Sequence, residues 1–297
     1  MRKKVGVAGS LEDFRRYLKT DARFFAKTPD EVGDRLMAAQ NRILGKIPEF
    51  FGKTPRALFG VKRLERELEG ALTFGYYQAP TATDPKGYYK YNGSNLNERT
   101  LLGASSLIAH ELVPGHHFQI NLQRENGNLP KFRRESGYTA FTEGWGEYAS
   151  SLAEEMGMYQ DPYDLAGRLA MDLFLTSRLV VDTGMNYFGW PRRRAVEYMK
   201  ANTLQSDTEI ETETLRYACD MPGQALAYKM GMRKLRELRE NTQKALGPAF
   251  DIRKFHDAVL GSGSMPLDVL EKCIDWFIAQ EKPKSTVGVA PMRSASR

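Results

Sequence analysis

The stretch that most restricts how this chain folds is residues 109–119, AHELVPGHHFQ, where three of its four histidines flank a Pro-Gly pair. Ahead of it, Leu101, Leu102, Ser105, Ile108, Ala109 and Leu112 follow the i, i+3, i+4 spacing of a buried helix face. A helix beginning near Asn97 is therefore expected to carry His110 and Glu111 at its end. Proline removes an internal hydrogen bond and glycine relaxes the backbone, so this helix must deform at Pro114-Gly115. The usual helical metal signature is His-Glu-x-x-His, with imidazoles four apart. Here the next histidine after His110 is His116. On a straight helix, at roughly 100° and 1.5 Å per residue, these two point about 120° apart; His117 faces the same way as His110 but about 10 Å further along. Only a deformed helix lets two of them share an ion. The spacing predicts a His-Glu-x-x-His site stretched by two residues, with His110 and His116 as ligands and His117 as the fallback.

A zinc site of this type takes three protein ligands and keeps a position for water. Glu111, beside the first ligand, is the expected general base. The third ligand is expected in YTAFTEGWGEYASSLAEE, a helical stretch that sets Glu143 and Glu147 on one face beside Phe141, Trp145 and Tyr148. Two carboxylates in such apolar company point to a nearby cation. Glu143 is the expected ligand, with Glu147 as a partner orienting the ligands or as replacement. Without a metal, the same residues would be a polar helix end and a solvated face.

Elsewhere helical periodicity dominates, beginning with LEDFRRYLKTDARFF and a strong start signal at Thr28-Pro29-Asp30-Glu31. Residues 73–95, rich in Tyr, Thr, Pro and Gly, predict a single β-like element around Tyr88 to Asn92. Further helices are predicted at 138–157, 163–182, 191–202, 207–219, 222–245 and 266–280. The expected fold is mostly α, one globular domain with a minor β element beside the cleft. It divides into scaffold helices at 1–72, a catalytic region at 73–281 and a disordered tail at 282–297.

The net charge of +6 is thinly spread, and its densest run, Arg192-Arg193-Arg194 beside Trp190, reads as a solvated helix start rather than a nucleic-acid groove. Two unpaired cysteines, Cys219 and Cys273, encode neither a disulfide framework nor a thiolate zinc site. No segment reads as a signal peptide or approaches the roughly 18 apolar residues of a membrane span. A cytoplasmic protein with no membrane or nucleic-acid partner is the expectation; the oligomeric state is left open.

Five ordered blocks, HELVPGHHFQ, FTEGWGEY, RLVVDTGMNYFGW, RYACDMPGQALAYKMG and FDIRKFHDAVLGSGSMPLDVL, resemble those of the bacterial family called domain of unknown function 885, over roughly residues 73–281. That family is grouped with zinc-dependent metallopeptidases of the His-Glu-x-x-His clan, so the resemblance implies a helical zincin-like domain with about one zinc per chain. It implies His110, His116 and Glu143 as ligands and Glu111 as base. It also implies that Arg216, Tyr217, Gln224 and Tyr228 line the cleft, a Tyr or Arg holding the oxyanion. The YYKYN stretch, with Tyr89 and Asn92, would offer an edge to an extended peptide, whereas Tyr76 and Tyr77 read as core. Asp182 would orient a ligand histidine. Two departures stand out: Asn186 occupies a position where the family usually has histidine, and only about seventy residues precede the matching part, where the family usually carries a long helical region. The expected function is hydrolysis of peptide amides; the alternatives are a non-catalytic binding protein and a hydrolase of a non-peptide amide or small ester.

Overall fold

The computed structural model describes residues 3–70, 72 and 74–282. It opens with α1 (Leu11–Thr20), α2 (Pro29–Leu44) and the single turn α3 (Ile47–Phe50). α2 begins where its sequence predicts: Thr28 accepts the Glu31 backbone N–H, and Pro29 occupies the first turn, where a missing donor costs nothing. Its stripe of Val32, Leu36, Ala39 and Ile43 is buried in the main core.

Three strands follow: β1 (Leu58–Arg63), β2 (Gly75–Gln78) and β3 (Lys86–Tyr91). They form one sheet in the order β1-β3-β2, with β1 parallel and β2 antiparallel to β3. The single β-like element expected from sequence is thus corrected to three strands, β1 arising inside a stretch read as helical. YYKYN lies on the central strand and has no free edge. The edges belong to β1 and β2.

The remaining helices are α4 (Ala104–Glu111), α5 (His116–Glu125), α6 (Lys131–Glu135), α7 (Thr139–Glu155), α8 (Pro162–Asn186), α9 (Arg192–Asn202), α10 (Asp207–Leu215), α11 (Ala227–Leu246), α12 (Ile252–Gly261) and α13 (Leu267–Glu281). α4 starts later than the Asn97 expected, because the Leu101 N–H donates to Phe24 O at 2.6 Å and the Leu102 N–H to Thr100 Oγ1 at 3.1 Å. Those bonds tie the preceding loop to the α1–α2 connection instead. α8 runs past the expected 182 to Asn186, which places Asp182 inside the helix. α10 passes into a π-helical turn at Arg216–Asp220, and α11 begins at Ala227 rather than 222, after a turn in which Gly223 adopts φ +82°. The tail expected to be disordered lies, from residue 283 on, outside the described residues.

α7 and α11 pack along each other at a pair of glycines. A Cβ on Gly144 would stand 2.5 Å from the Gly231 Cα, so only bare backbone lets the two helices approach this closely. At its start α11 sets Tyr228 beside the His110 ring. No described helix is long and apolar enough to cross a membrane.

Candidate metal centre

The helix carrying His110 does not bend through Pro114-Gly115; it stops. α4 ends at Glu111, the chain reverses through Leu112–Gly115, and α5 restarts at His116. A Cβ on Gly115 would lie 1.8 Å from the His110 carbonyl oxygen, so the reversal requires glycine there. A helix break in a core exposes backbone polar groups that must find partners. Gln40 of α2 supplies two: its Nε2 donates to Val113 O at 2.8 Å and its Oε1 accepts the Val113 N–H at 3.2 Å. Trp145 of α7 donates Nε1–H to Pro114 O at 2.8 Å. The break is thus braced from both sides.

The reversal brings His110 and His116 together, their ring centroids 4.6 Å apart. Glu143 completes the group, its Oε2 standing 3.3 Å from His110 Nε2 and 3.4 Å from His116 Nε2. Four-coordinate zinc holds its ligands at about 2.0–2.1 Å, which sets tetrahedral neighbours about 3.4 Å apart; both distances from Glu143 Oε2 match that spacing. Among the described residues, this is the one group of His, Cys, Asp or Glu side chains whose ligand atoms converge within 4.8 Å. Glu143 Oε2 is buried without a hydrogen bond, and so is His116 Nδ1. A buried carboxylate oxygen facing two imidazole nitrogens without hydrogen-bond geometry suits a cation, and the donor set suits zinc.

The groups behind the ligands fit as well. His110 Nδ1 lies 3.1 Å from Glu147 Oε1, so that in the neutral ring the remaining proton belongs on Nδ1 and Nε2 is free for a metal. Gly146 makes this possible, because a Cβ there would come within 2.6 Å of the His110 ring. Arg168 of α8 reaches Glu147 at 3.7 Å. Burial alone would depress the His110 imidazole, but Glu143 and Glu147 override it and carry it up to about 10. Burial likewise opposes ionisation of Glu143, yet His110 and His116 hold it well below the usual carboxylate range. Glu111 moves the other way, raised by burial, while the Tyr77 backbone N–H on the β2 edge faces its carboxylate.

The same cleft is lined by Gly75, Tyr76 and Tyr77 from β2, by Arg178 from α8 and by Arg216, Gln224 and Tyr228. Tyr228 lies nearly parallel to the His110 ring, 6.0 Å between centroids, and its hydroxyl accepts from Gln224 Nε2 at 3.2 Å. Burial pushes that phenol up to about 12, so it stays a donor. Tyr217, by contrast, is fully buried, its hydroxyl donating to Glu213 Oε2 and accepting from Arg178 Nε.

Several expected residues lie elsewhere. His117 points away from the cluster, its Nε2 at 3.0 Å from Ala57 O and its Nδ1 at 2.9 Å from the Tyr77 hydroxyl. Tyr89 is 1% exposed, and Asn92 is buried, donating to Glu69 O and Leu72 O at 2.6 Å; neither reaches the cleft, because their strand is central. Asp182 orients no histidine: it accepts the Gly223 N–H at 3.0 Å and Asn186 Nδ2 at 3.1 Å. Asn186 also donates to Tyr217 O at 3.1 Å, tying α8 to the π-turn away from the ligands. Tyr76, expected as core, is 39% exposed at the cleft. Sequence reasoning missed Arg168, Arg178 and the backbone of Tyr77. The one available signal was the GWG of α7, since glycines inside a helix cost about 1 kcal/mol each and need a packing reason.

The model for a family described as a bacterial protein of unknown function, DUF885, matches residues 1–274, and the chain belongs to that family. The match starts well ahead of residue 73, where the sequence blocks first suggested it. A crystal structure of a putative lipoprotein from Colwellia psychrerythraea is 33% identical, covers 94% of this chain and 48% of its own, and superposes with a TM-score of 0.88. A putative lipoprotein of unknown function from Shewanella oneidensis is 20% identical, covers 87% of this chain and 48% of its own at a TM-score of 0.72, a likeness of fold alone. This chain spans about half the length of either. No curated protein matches it. The expected cytoplasmic location is corrected by these two neighbours, whose descriptions as lipoproteins point away from the cytoplasm.

Proposed function

We propose that this member of the family is a metal-dependent hydrolase of peptide amide bonds, a zincin-like enzyme in which His110, His116 and Glu143 hold one zinc ion. The observation that carries the reading is the convergence of His110 Nε2, His116 Nε2 and Glu143 Oε2 within 4.8 Å, the carboxylate oxygen 3.3 and 3.4 Å from the two nitrogens, with Glu111 the next residue to the first ligand. When bound there, zinc would supply Lewis acidity to a carbonyl and make a water more acidic. Glu111, its carboxyl already raised by burial, takes a proton from the attacking water as its oxygen adds to the carbonyl carbon. It then passes that proton to the amine as the C–N bond breaks, leaving a carboxylate and a free amine. Tyr228 donates to the oxygen that gains charge, a role its high pKa protects. The open edge of β2 beside Glu111 suits an extended peptide, added as a fourth strand.

By analogy with its two neighbours, we place the protein outside the cytoplasm, where the substrate would be an extracytoplasmic peptide. The test is Glu111→Gln in zinc-loaded protein against a mixed peptide library read by mass spectrometry. Metal content should be unchanged and turnover should fall by at least about 10²-fold, the lower range for general-base catalysis. Unchanged turnover would sink this mechanism. The second reading is a non-catalytic binding protein, which a metal-dependent cleavage in the same screen would exclude.

A further inference from the structure

Two cationic groups in the cleft are left unassigned by that mechanism. Arg178 is buried in the cleft wall, donating Nε–H to the Tyr217 hydroxyl at 2.7 Å and Nη2–H to Glu213 Oε2 at 2.8 Å. Glu213 Oε2 therefore already receives one arginine and one phenol. Arg216 is the second arginine of this wall, and its nearest carboxylate oxygen is that same Glu213 Oε2, at 3.8 Å. That is an ion-pair distance, not a hydrogen bond. Its Nη2 donates to the neutral Gln224 Oε1 at 3.2 Å, and its Nε is buried with no acceptor. Both guanidiniums line the cleft and share one carboxylate oxygen, and Arg216 is the more exposed of the two and the one held by a neutral amide instead of a close carboxylate. A planar fork of N–H groups with unused donors is suited to a carboxylate, which it can bind with two parallel hydrogen bonds.

Its position relative to the ligands is fixed by a single side chain. Gln224 Nε2 stands 3.4 Å from Glu143 Oε1 while Gln224 Oε1 receives Arg216. One amide therefore separates the guanidinium from the metal ligand, a span bridged by roughly one or two extended residues at about 3.3–3.6 Å each.

We propose that Arg216 anchors a carboxylate of the substrate one or two residues from the bond cleaved, either the free C-terminus of a short peptide or an acidic side chain at that place. The inference rests on the reading of the cleft as a peptide site. It makes the protein selective for anionic peptide ends over uncharged ones.

Calorimetry on zinc-loaded Glu111→Gln, which holds peptide without turnover, tests it with three alanine-rich peptides of equal length: a free acid, its C-terminal amide, and an amide ending in glutamate. The expected result is binding of the free acid at least tenfold tighter than its amide, with that preference abolished by Arg216→Gln and partly kept by Arg216→Lys. Recovery of affinity in the glutamate amide assigns the site to an acidic side chain; no recovery assigns it to the C-terminus. Equal binding of acid and amide, a preference that survives Arg216→Gln, or no binding of any peptide overturns the anchor. Should the acid preference hold while wild-type protein cleaves nothing, the hydrolase reading fails and the anchor stands.

Discussion

His117 and His256 on one side, and His110 and His116 on the other, share burial but not chemistry. His256 donates Nδ1–H to Phe50 O at 2.8 Å and accepts from the Tyr148 hydroxyl at Nε2, also at 2.8 Å, while stacked on Phe51. His117 repeats the pattern with Ala57 O and Tyr77. Each ring gives its proton to a backbone carbonyl and takes one from a phenol, so both nitrogens are satisfied in the neutral form. Burial then pushes His117 down to about 4 and His256 to about 3. His110 instead meets a carboxylate at either nitrogen, and His116 leaves one nitrogen bare and turns the other to Glu143. Neighbouring positions on α5 thus face opposite ways, one into the cleft and one against β2. What separates a site from a core in this protein is whether the ring's partners are charged.

The largest test of that division is a pair of substitutions. His116→Ala should take bound zinc from about one per chain to none by plasma mass spectrometry, whereas His117→Ala should keep the metal and lose about 1–3 kcal/mol of stability through its two orphaned partners. Loss of zinc in both would erase the distinction. A smaller effect is expected at the group that orients His110: Glu147→Gln should weaken zinc binding by about 10–100-fold in a chelator competition, and an unchanged affinity would show that the tautomer is fixed by other means. The smallest sharpens the core side of the comparison. An unfolded histidine titrates near 6.5, so below that pH the unfolded chain takes up a proton that folded His256 refuses until about pH 3. Between those values stability should fall as pH falls, by about 1.4 kcal/mol per unit from this residue. Urea melts of the metal-free protein from pH 6 to 4 should show a shallower slope for His256→Gln, and an identical slope would mean that the ring is already protonated when folded.

Much of the candidate centre was legible because its residues lie close together in sequence. His110, Glu111 and His116 sit around one helix break, and Glu143 and Glu147 share one helical face, so spacing alone points at both groups. The break was expected as a bend; the helix instead ends and restarts after a turn, where Gly115 packs onto the His110 carbonyl and Gln40 captures Val113, contacts that no local pattern encodes. The sheet was less legible. β1 is short and partly exposed, with no clear alternation, and the centrality of β3 depends on pairing with strands on both sides. That pairing turned Tyr89 and Asn92 inward and brought Tyr77 to the cleft. Asp182 was misread for a related reason: α8 continues past Gly184 to Asn186, and the Trp190 ring occupies the space a side chain would need at that glycine.

The hold of Gln40 on Val113 crosses seventy-three positions of chain and joins α2 to the reversal between the two histidines. Any free energy an ion contributes to keeping that reversal closed is also felt by α2, through those two hydrogen bonds. Ion occupancy and the docking of the amino-terminal helices are then linked functions, each raising the other's equilibrium constant by the same factor. A region that touches no ligand becomes part of what sets the affinity.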